Sequence, residues 1–170
     1  MNTHPFQTLT LGNDSKLIFT PCPGTKSMSL EDSITQLKQN QTSMLITLMT
    51  DAEMMANDVL ALPGICHQQQ ITWLQLPIVD DEAPKLPFER QWSKHKQAIL
   101  DEINNQGVVA IHCKGGTGRT GTVIALLLLH LGCSVTKIVA EIQAIKPKAL
   151  KIQAQLDYLN AKLITAEDRF

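Results

Sequence analysis

Apolar and polar residues fall along this chain in short blocks whose period switches repeatedly between that of a strand and that of a helix. Gln7 to Leu11 alternates residue by residue, and Lys16 to Thr20 is rich in β-formers. With Gly12-Asn13-Asp14 as a turn signal between them, the pattern predicts two short strands at one edge. Pro21-Cys22-Pro23-Gly24 reads as a rigid loop. Ser29 then caps a predicted helix that has Glu31 and Asp32 at its start and Leu30, Ile34 and Leu37 on one face. Met44 to Met49 is a predicted core strand. Asp51 to Leu62 is a predicted helix with acidic residues in its first turn, stopped by Pro63-Gly64. Ile71 to Leu76 is the next strand, and Pro77 to Pro84 a loop. A long helix is expected over Pro87 to Asn105, with Phe88, Trp92, His95, Ile99 and Ile103 on one face.

Gly107 ends that helix, and the apolar run Val108-Val109-Ala110-Ile111 reads as a buried strand. A glycine-rich stretch, His112 to Gly121, separates it from Val123 to Leu131, which is apolar enough to be a buried helix. Ser134 caps a further helix over Val135 to Ile145, ended by Lys146-Pro147. The last helix is expected over Leu150 to Leu163, followed by a charged tail from Ala166 to Phe170. Strands alternating with helices predict an α/β fold, with a central, mostly parallel twisted sheet flanked by helices on both faces. With no repeat, low-complexity tract or linker in view, residues 1–170 are expected to form a single domain.

Composition narrows the function. A chain of 170 residues, 44% of them hydrophobic, is long enough to bury a sizeable core. A formal net charge of −1 argues against a nucleic-acid partner, which needs a basic face. The polar start (Asn2-Thr3-His4-Pro5) has no signal-like pattern, and Val123 to Leu129 is only about a third of a membrane span. The expectation is a cytoplasmic protein without stable membrane association. Cys22, Cys66, Cys113 and Cys133 are scattered without a C-x-x-C pair, which suggests neither a zinc site nor a disulfide framework.

The chemistry lies in the glycine-rich stretch. A strand–turn–helix with glycines in the turn forms a ring of backbone N–H groups at a helix N-terminus, where anions bind. Cys113 places a thiol in that ring, and Arg119, six residues later, brings a guanidinium to the same anion. The ring donors and the guanidinium stabilise a thiolate. The same groups, from Lys114, Gly115, Gly116, Thr117 and Gly118 with Arg119, are expected to bind the oxygens of a phosphate monoester. The three glycines are expected to supply backbone angles closed to other residues. Thr120 is expected to place a hydroxyl near the sulfur, and His112 to orient the loop from its far side. A leaving oxygen needs a proton, and a general acid belongs on a neighbouring loop at the C-terminal edge of the sheet. Asp80 is favoured, with Asp81 and Glu82 as competitors.

His112-Cys113-x5-Arg119-Thr120 resembles the signature of the protein tyrosine phosphatase superfamily, and the acidic loop upstream of it is similar to that of the dual-specificity branch. Within that branch the chain is most similar to the kinase-associated phosphatases that act on cyclin-dependent kinases. Pro21 to Lys26, Pro77-Ile78-Val79-Asp80, and Ala149-Leu150 through Gln155 to Tyr158-Leu159 carry that likeness. The resemblance implies a dual-specificity phosphatase-like fold and a phosphorylated protein or peptide as substrate. It further implies a cysteinyl-phosphate intermediate, Asp80 as the acid, Gln155 in substrate binding, and no metal or cofactor. Lys114 stands where the kinase-associated family has an aromatic residue and is similar to the lipid-phosphatase loop, so a phosphoinositide phosphatase is the alternative. A non-catalytic phosphate-binding adaptor is a second one. Gly116-x-Gly118-x-x-Gly121 also fits a dinucleotide fingerprint, but Glu141, about 20 residues on, falls inside a predicted helix and not at a strand end.

Overall fold

The computed structural model describes residues 2–167. Five strands form one sheet in the order β1-β2-β5-β3-β4: β1 Gln7–Thr10, β2 Lys16–Thr20, β3 Met44–Thr47, β4 Thr72–Gln75 and β5 Val108–His112. Only β1 runs antiparallel, against β2; the other pairings are parallel. Among the described residues seven helices accompany the strands: α1 Leu30–Gln39, α2 Asp51–Ala56, α3 Leu62–Gln68, α4 Leu86–Asn104, α5 Gly118–His130, α6 Val135–Ile145 and α7 Gln153–Glu167.

Every residue of β3 and β5 is buried, which is why both read as unbroken apolar runs. Alternate residues serve two cores. Leu17, Phe19, Ile46, Val109 and Ile111 pack with Phe88, Ile99 and the apolar face of α5 on one side. Ile18, Leu45 and Ala110 pack with Ile34, Leu37, Met54 and Leu62 on the other. Helices therefore cover both faces, as the α/β pattern predicts.

The register carries this alternation to the C-terminal edge, where Thr20, His112 and Thr47 stand side by side. Two residues on from Ile18, Ala110 and Leu45, they belong to the α1–α3 face. Cys113, the next residue, joins the core of the opposite face.

Three predicted helix boundaries move. The helix expected over Asp51 to Leu62 is two helices, because the chain turns at Asp58 with φ 56°. Pro63 does not stop a helix but opens α3, where its missing N–H is no loss. α5 begins at Gly118 and not at Val123, since its first turn is selected by the loop's packing and not by an apolar pattern. α7 begins after Leu150, which adopts a left-handed φ of 57° and breaks the helical run. The charged tail expected over Ala166 to Phe170 lies, from residue 168 on, outside the described residues. Among the described residues no helix is long and apolar enough to cross a membrane.

Candidate active site

The central strand β5 delivers Cys113 to the sheet edge, and α5 begins five residues later. The Cys113 Sγ accepts hydrogen bonds from the Gly116 N–H at 3.2 Å and the Thr120 hydroxyl at 3.3 Å. Only 4% of the residue is exposed. Thr117 at the N-cap makes no side-chain cap, so the leading N–H groups of α5 are not taken by its own side chain. Of the loop glycines, Gly116 alone needs its freedom. Its φ is 77°, and a Cβ there would lie 2.5 Å from the Thr20 carbonyl carbon. Gly115 and Gly118 do not adopt the left-handed conformation expected of them, and a Cβ at Gly115 would meet nothing within 4 Å.

Arg119, on the first turn of α5, is 2% exposed. Its Nη1 donates to Glu53 Oε1 at 2.8 Å and to the Ile78 carbonyl at 2.9 Å, and its Nη2 donates to Glu53 Oε2 at 3.0 Å. Nη2 also pairs with Asp80 Oδ1 at 3.3 Å. The buried Nε–H has no protein partner. Burial alone would lower this guanidinium's pKa, but the Glu53 hydrogen bonds and the charges of Cys113, Glu53 and Asp80 outweigh it and hold the pKa above its ordinary value. One edge of the fork is thus anchored, and the Nε side is left for another acceptor.

His112 is fully buried beneath the loop. Its Nε2 lies 2.7 Å from Thr47 Oγ1, which also accepts from Trp73 Nε1 at 2.8 Å. The Cys113 carbonyl can only accept, so the Nδ1–H of His112 donates to it at 3.2 Å, and Nε2 of the neutral ring accepts from the threonine hydroxyl. Burial pushes the imidazole pKa down to about 4, so it is neutral near pH 7. A chain of hydrogen bonds therefore runs from β4 through β3 to the backbone of Cys113.

The acidic loop is docked on Arg119 through the Ile78 carbonyl and the Asp80 carboxylate. Asp81, at φ 60°, donates its N–H to Asp80 Oδ1 at 3.1 Å, and Glu82 pairs with Lys85. Of the three candidate acids it is Asp80 that reaches the guanidinium. Gln155 is buried over Gly118, donates from Nε2 to the Glu82 carbonyl at 3.3 Å, and leaves its Oε1 unpartnered. The Lys114 ammonium bonds the Asn57 side chain, and the Lys114 carbonyl accepts from the Cys22 N–H at 3.1 Å. Burial pushes the Cys22 and Cys66 thiols up to about 12. Among the described residues no three His, Cys, Asp or Glu side chains are grouped as metal ligands.

Glu53 is the site residue that sequence reasoning missed. Its one local signal, Thr50-Asp51-Ala52-Glu53, is a capping box, and Glu53 does cap α2 through Thr50. Nothing in that pattern points to Arg119, 66 residues away.

A mostly parallel sheet with a cysteine–arginine loop at its C-terminal edge and an acidic loop beside it defines the class of cysteine-dependent dual-specificity phosphatases. The profile of the family described as "Tc-R-P: Polymorphic toxin system, DSP-PTPase phosphatase" matches residues 22–133, and the chain belongs to that family. It is 34% identical over 69 residues to the tyrosine-protein phosphatase CDC14 homolog of Schizosaccharomyces pombe, covering 40% of this chain and 12% of that protein. Against the human dual specificity protein phosphatase CDC14A it is 38% identical over 60 residues, 35% of this chain and 10% of that one. The matched part is thus only about a tenth of these relatives' length. Among solved structures, kinase associated phosphatase with its catalytic site cysteine changed to serine superposes with a TM-score of 0.84. The identity is 21%, and the match covers 96% of this chain and 98% of that one. PTPMT1 in complex with PI(5)P superposes with a TM-score of 0.67 at 23% identity, over 89% of this chain and 94% of that one. Both likenesses are of fold.

Proposed function

We propose that this chain is a protein phosphatase that hydrolyses phosphotyrosine monoesters, with phosphoserine and phosphothreonine monoesters as further substrates, through a cysteinyl-phosphate intermediate. The observation that carries this reading is the convergence of the Cys113 sulfur, the N-terminus of α5 and the Arg119–Asp80 pair on one loop. The leading amides of α5 and the Nε edge of Arg119 hold the phosphoryl oxygens, and their hydrogen bonds strengthen as charge builds on them. The Cys113 thiolate attacks phosphorus; an S–P bond forms as the P–O bond to the leaving group breaks. Asp80 gives its proton to the departing oxygen. In the second step a water loses its proton to Asp80 and attacks phosphorus, and the S–P bond breaks to release phosphate and the thiolate. The Thr120 hydroxyl stabilises the sulfur as it leaves. His112 acts through the loop backbone as a positioning residue.

A phosphoinositide substrate is the second reading, favoured by Lys114 on the loop; the bond from Lys114 to Asn57 gives that side chain a structural role as well. The two are separated by one panel assay of phosphopeptides, inositol phosphates and an aryl phosphate on a single preparation. Release of phosphate chiefly from phosphotyrosine peptides is the expected result; turnover of inositol phosphates alone would replace the first reading with the second.

A further inference from the structure

Among the described residues β4 ends the sheet on one side and pairs with β3 alone. Thr72 and Leu76 donate their N–H groups to the Ser43 and Thr47 carbonyls on that side. The alternation of a strand therefore turns the N–H and C=O groups of Trp73 and Gln75 out toward the free edge. The strand itself, Thr72-Trp73-Leu74-Gln75, carries neither a charge nor a proline, two devices that keep an edge from pairing. A trough runs along it. Toward α4 it holds about 450 Å³ and is bounded by Trp73, Leu74, Pro77, Arg90 and His95. Toward α3 it holds about 480 Å³ and is bounded by Pro63, His67 and Trp73. Trp73 is common to both parts, half-buried, with its indole N–H held by Thr47.

The two flanks differ in character. In a strand added to β4, alternate side chains face α3 and α4. The α3 flank offers the apolar surfaces of Trp73 and Pro63. On the α4 flank Arg90 and Lys94 stand exposed one turn apart, and among the described residues neither is in an ion pair. Among the described residues no carboxylate lines the trough. Two carboxylates on the flanking helices are already engaged, Asp51 by the Gln75 amide and Glu89 by Tyr158 and Lys162. A cationic flank favours acidic side chains on the occupant. It disfavours a second copy of this chain, whose own β4 edge brings the same cationic row with it. The outward N–H and C=O groups favour an extended main chain over a small molecule.

We infer that the free edge of β4 is a docking site where an extended acidic segment of a partner protein adds a strand to the sheet, its carboxylates toward Arg90 and Lys94 and its apolar side chains over Trp73. The site lies outside the Cys113 loop, and the inference does not depend on which phosphate ester is cleaved. The test titrates the full chain with a capped hexapeptide of alternating valine and glutamate, and with its valine–lysine counterpart, following backbone amides by NMR. The expected result is saturable shifts and slowed hydrogen exchange at the Trp73 and Gln75 amides with the glutamate peptide, and binding at least about fivefold weaker with the lysine one. R90E/K94E should weaken the glutamate peptide about tenfold while turnover of an aryl phosphate stays at the wild-type level. Gln75→Pro removes an outward N–H and no bond to β3, and should abolish binding. Gln75→Ala, which loses the same side chain, should keep it. Equal binding of the two peptides, equal binding by the proline and alanine variants, or shifts centred on the Cys113 loop overturns the inference. Failure of the glutamate peptide to bind overturns it too. Concentration-dependent dimerisation that is lost in Gln75→Pro and kept in Gln75→Ala also overturns it and gives the edge to a second copy of the chain.

Discussion

Glu53, on a helix 66 residues earlier in the chain, grips both terminal nitrogens of Arg119, at 2.8 and 3.0 Å. The pair fixes the plane of the guanidinium before any phosphate arrives, so the loop does not have to order its arginine during binding. Glu53→Gln keeps the shape but loses the charge and one acceptor. Activity toward an aryl phosphate should fall at least about tenfold, and stability by about 2 kcal/mol, because a buried guanidinium loses its main partner. Urea titration beside steady-state kinetics checks both, and an unchanged kcat would show that Arg119 is oriented by other contacts.

Cys113→Ser should abolish phosphate release while phosphate or vanadate still raises the melting temperature, since the ring of donors survives. Ordinary turnover in that variant would remove Cys113 from the role of nucleophile.

Asp80→Asn should slow an alkyl phosphate by about 10²-fold or more and an aryl phosphate with an acidic phenol far less, because a good leaving group needs little protonation. The same loss for both esters would transfer the proton to Asp81 or Glu82.

Two loop glycines should behave oppositely. Gly116→Ala places a Cβ 2.5 Å from the backbone of Thr20 at a φ of 77°, and should cost about 3 kcal/mol and most of the activity. Gly115→Ala, with open space around it, should stay within about 0.5 kcal/mol of wild type. Denaturation midpoints of the two variants decide this directly.

Acid should weaken the fold through its buried histidines. His112 and His4 are each pushed down to about 4 by burial, from an ordinary value of 6.5. Between these pH values the unfolded chain binds more protons than the folded one. Their contribution is therefore complete above pH 6.5 and is lost as pH falls toward 4, on the order of 3 kcal/mol for a group with the whole shift. Melting temperatures from pH 4 to 7 should slope less in His112→Asn than in wild type; parallel curves would show that the imidazole is not held neutral.

The Cys113–Arg119 loop was legible because its chemistry is local. Six residues of spacing, a preceding apolar run and a following one suffice to put a thiol and a guanidinium at one helix N-terminus. Alternation over Gln7 to Leu11 and short apolar or β-rich runs elsewhere likewise assigned the strands, and Ser29 and Ser134 marked helix starts with side chains that do cap them. The break at Asp58 was hidden, because Pro63 is compatible with either the end or the beginning of a helix, and only packing chooses between them.

The amino-acid sequence alone thus determined the strand–loop–helix at Cys113, the two-faced sheet around it and the acidic loop from Asp80 to Glu82. Tertiary structure decided which groups complete the site: Glu53 and Asp80 on Arg119, Thr47 and Trp73 behind His112, and Gln155 over Gly118. Those partners lie on separate elements brought together at one sheet edge. Their choice follows from the burial of polar groups that must find a donor or acceptor in space, and no local pattern of residues encodes where that partner will be.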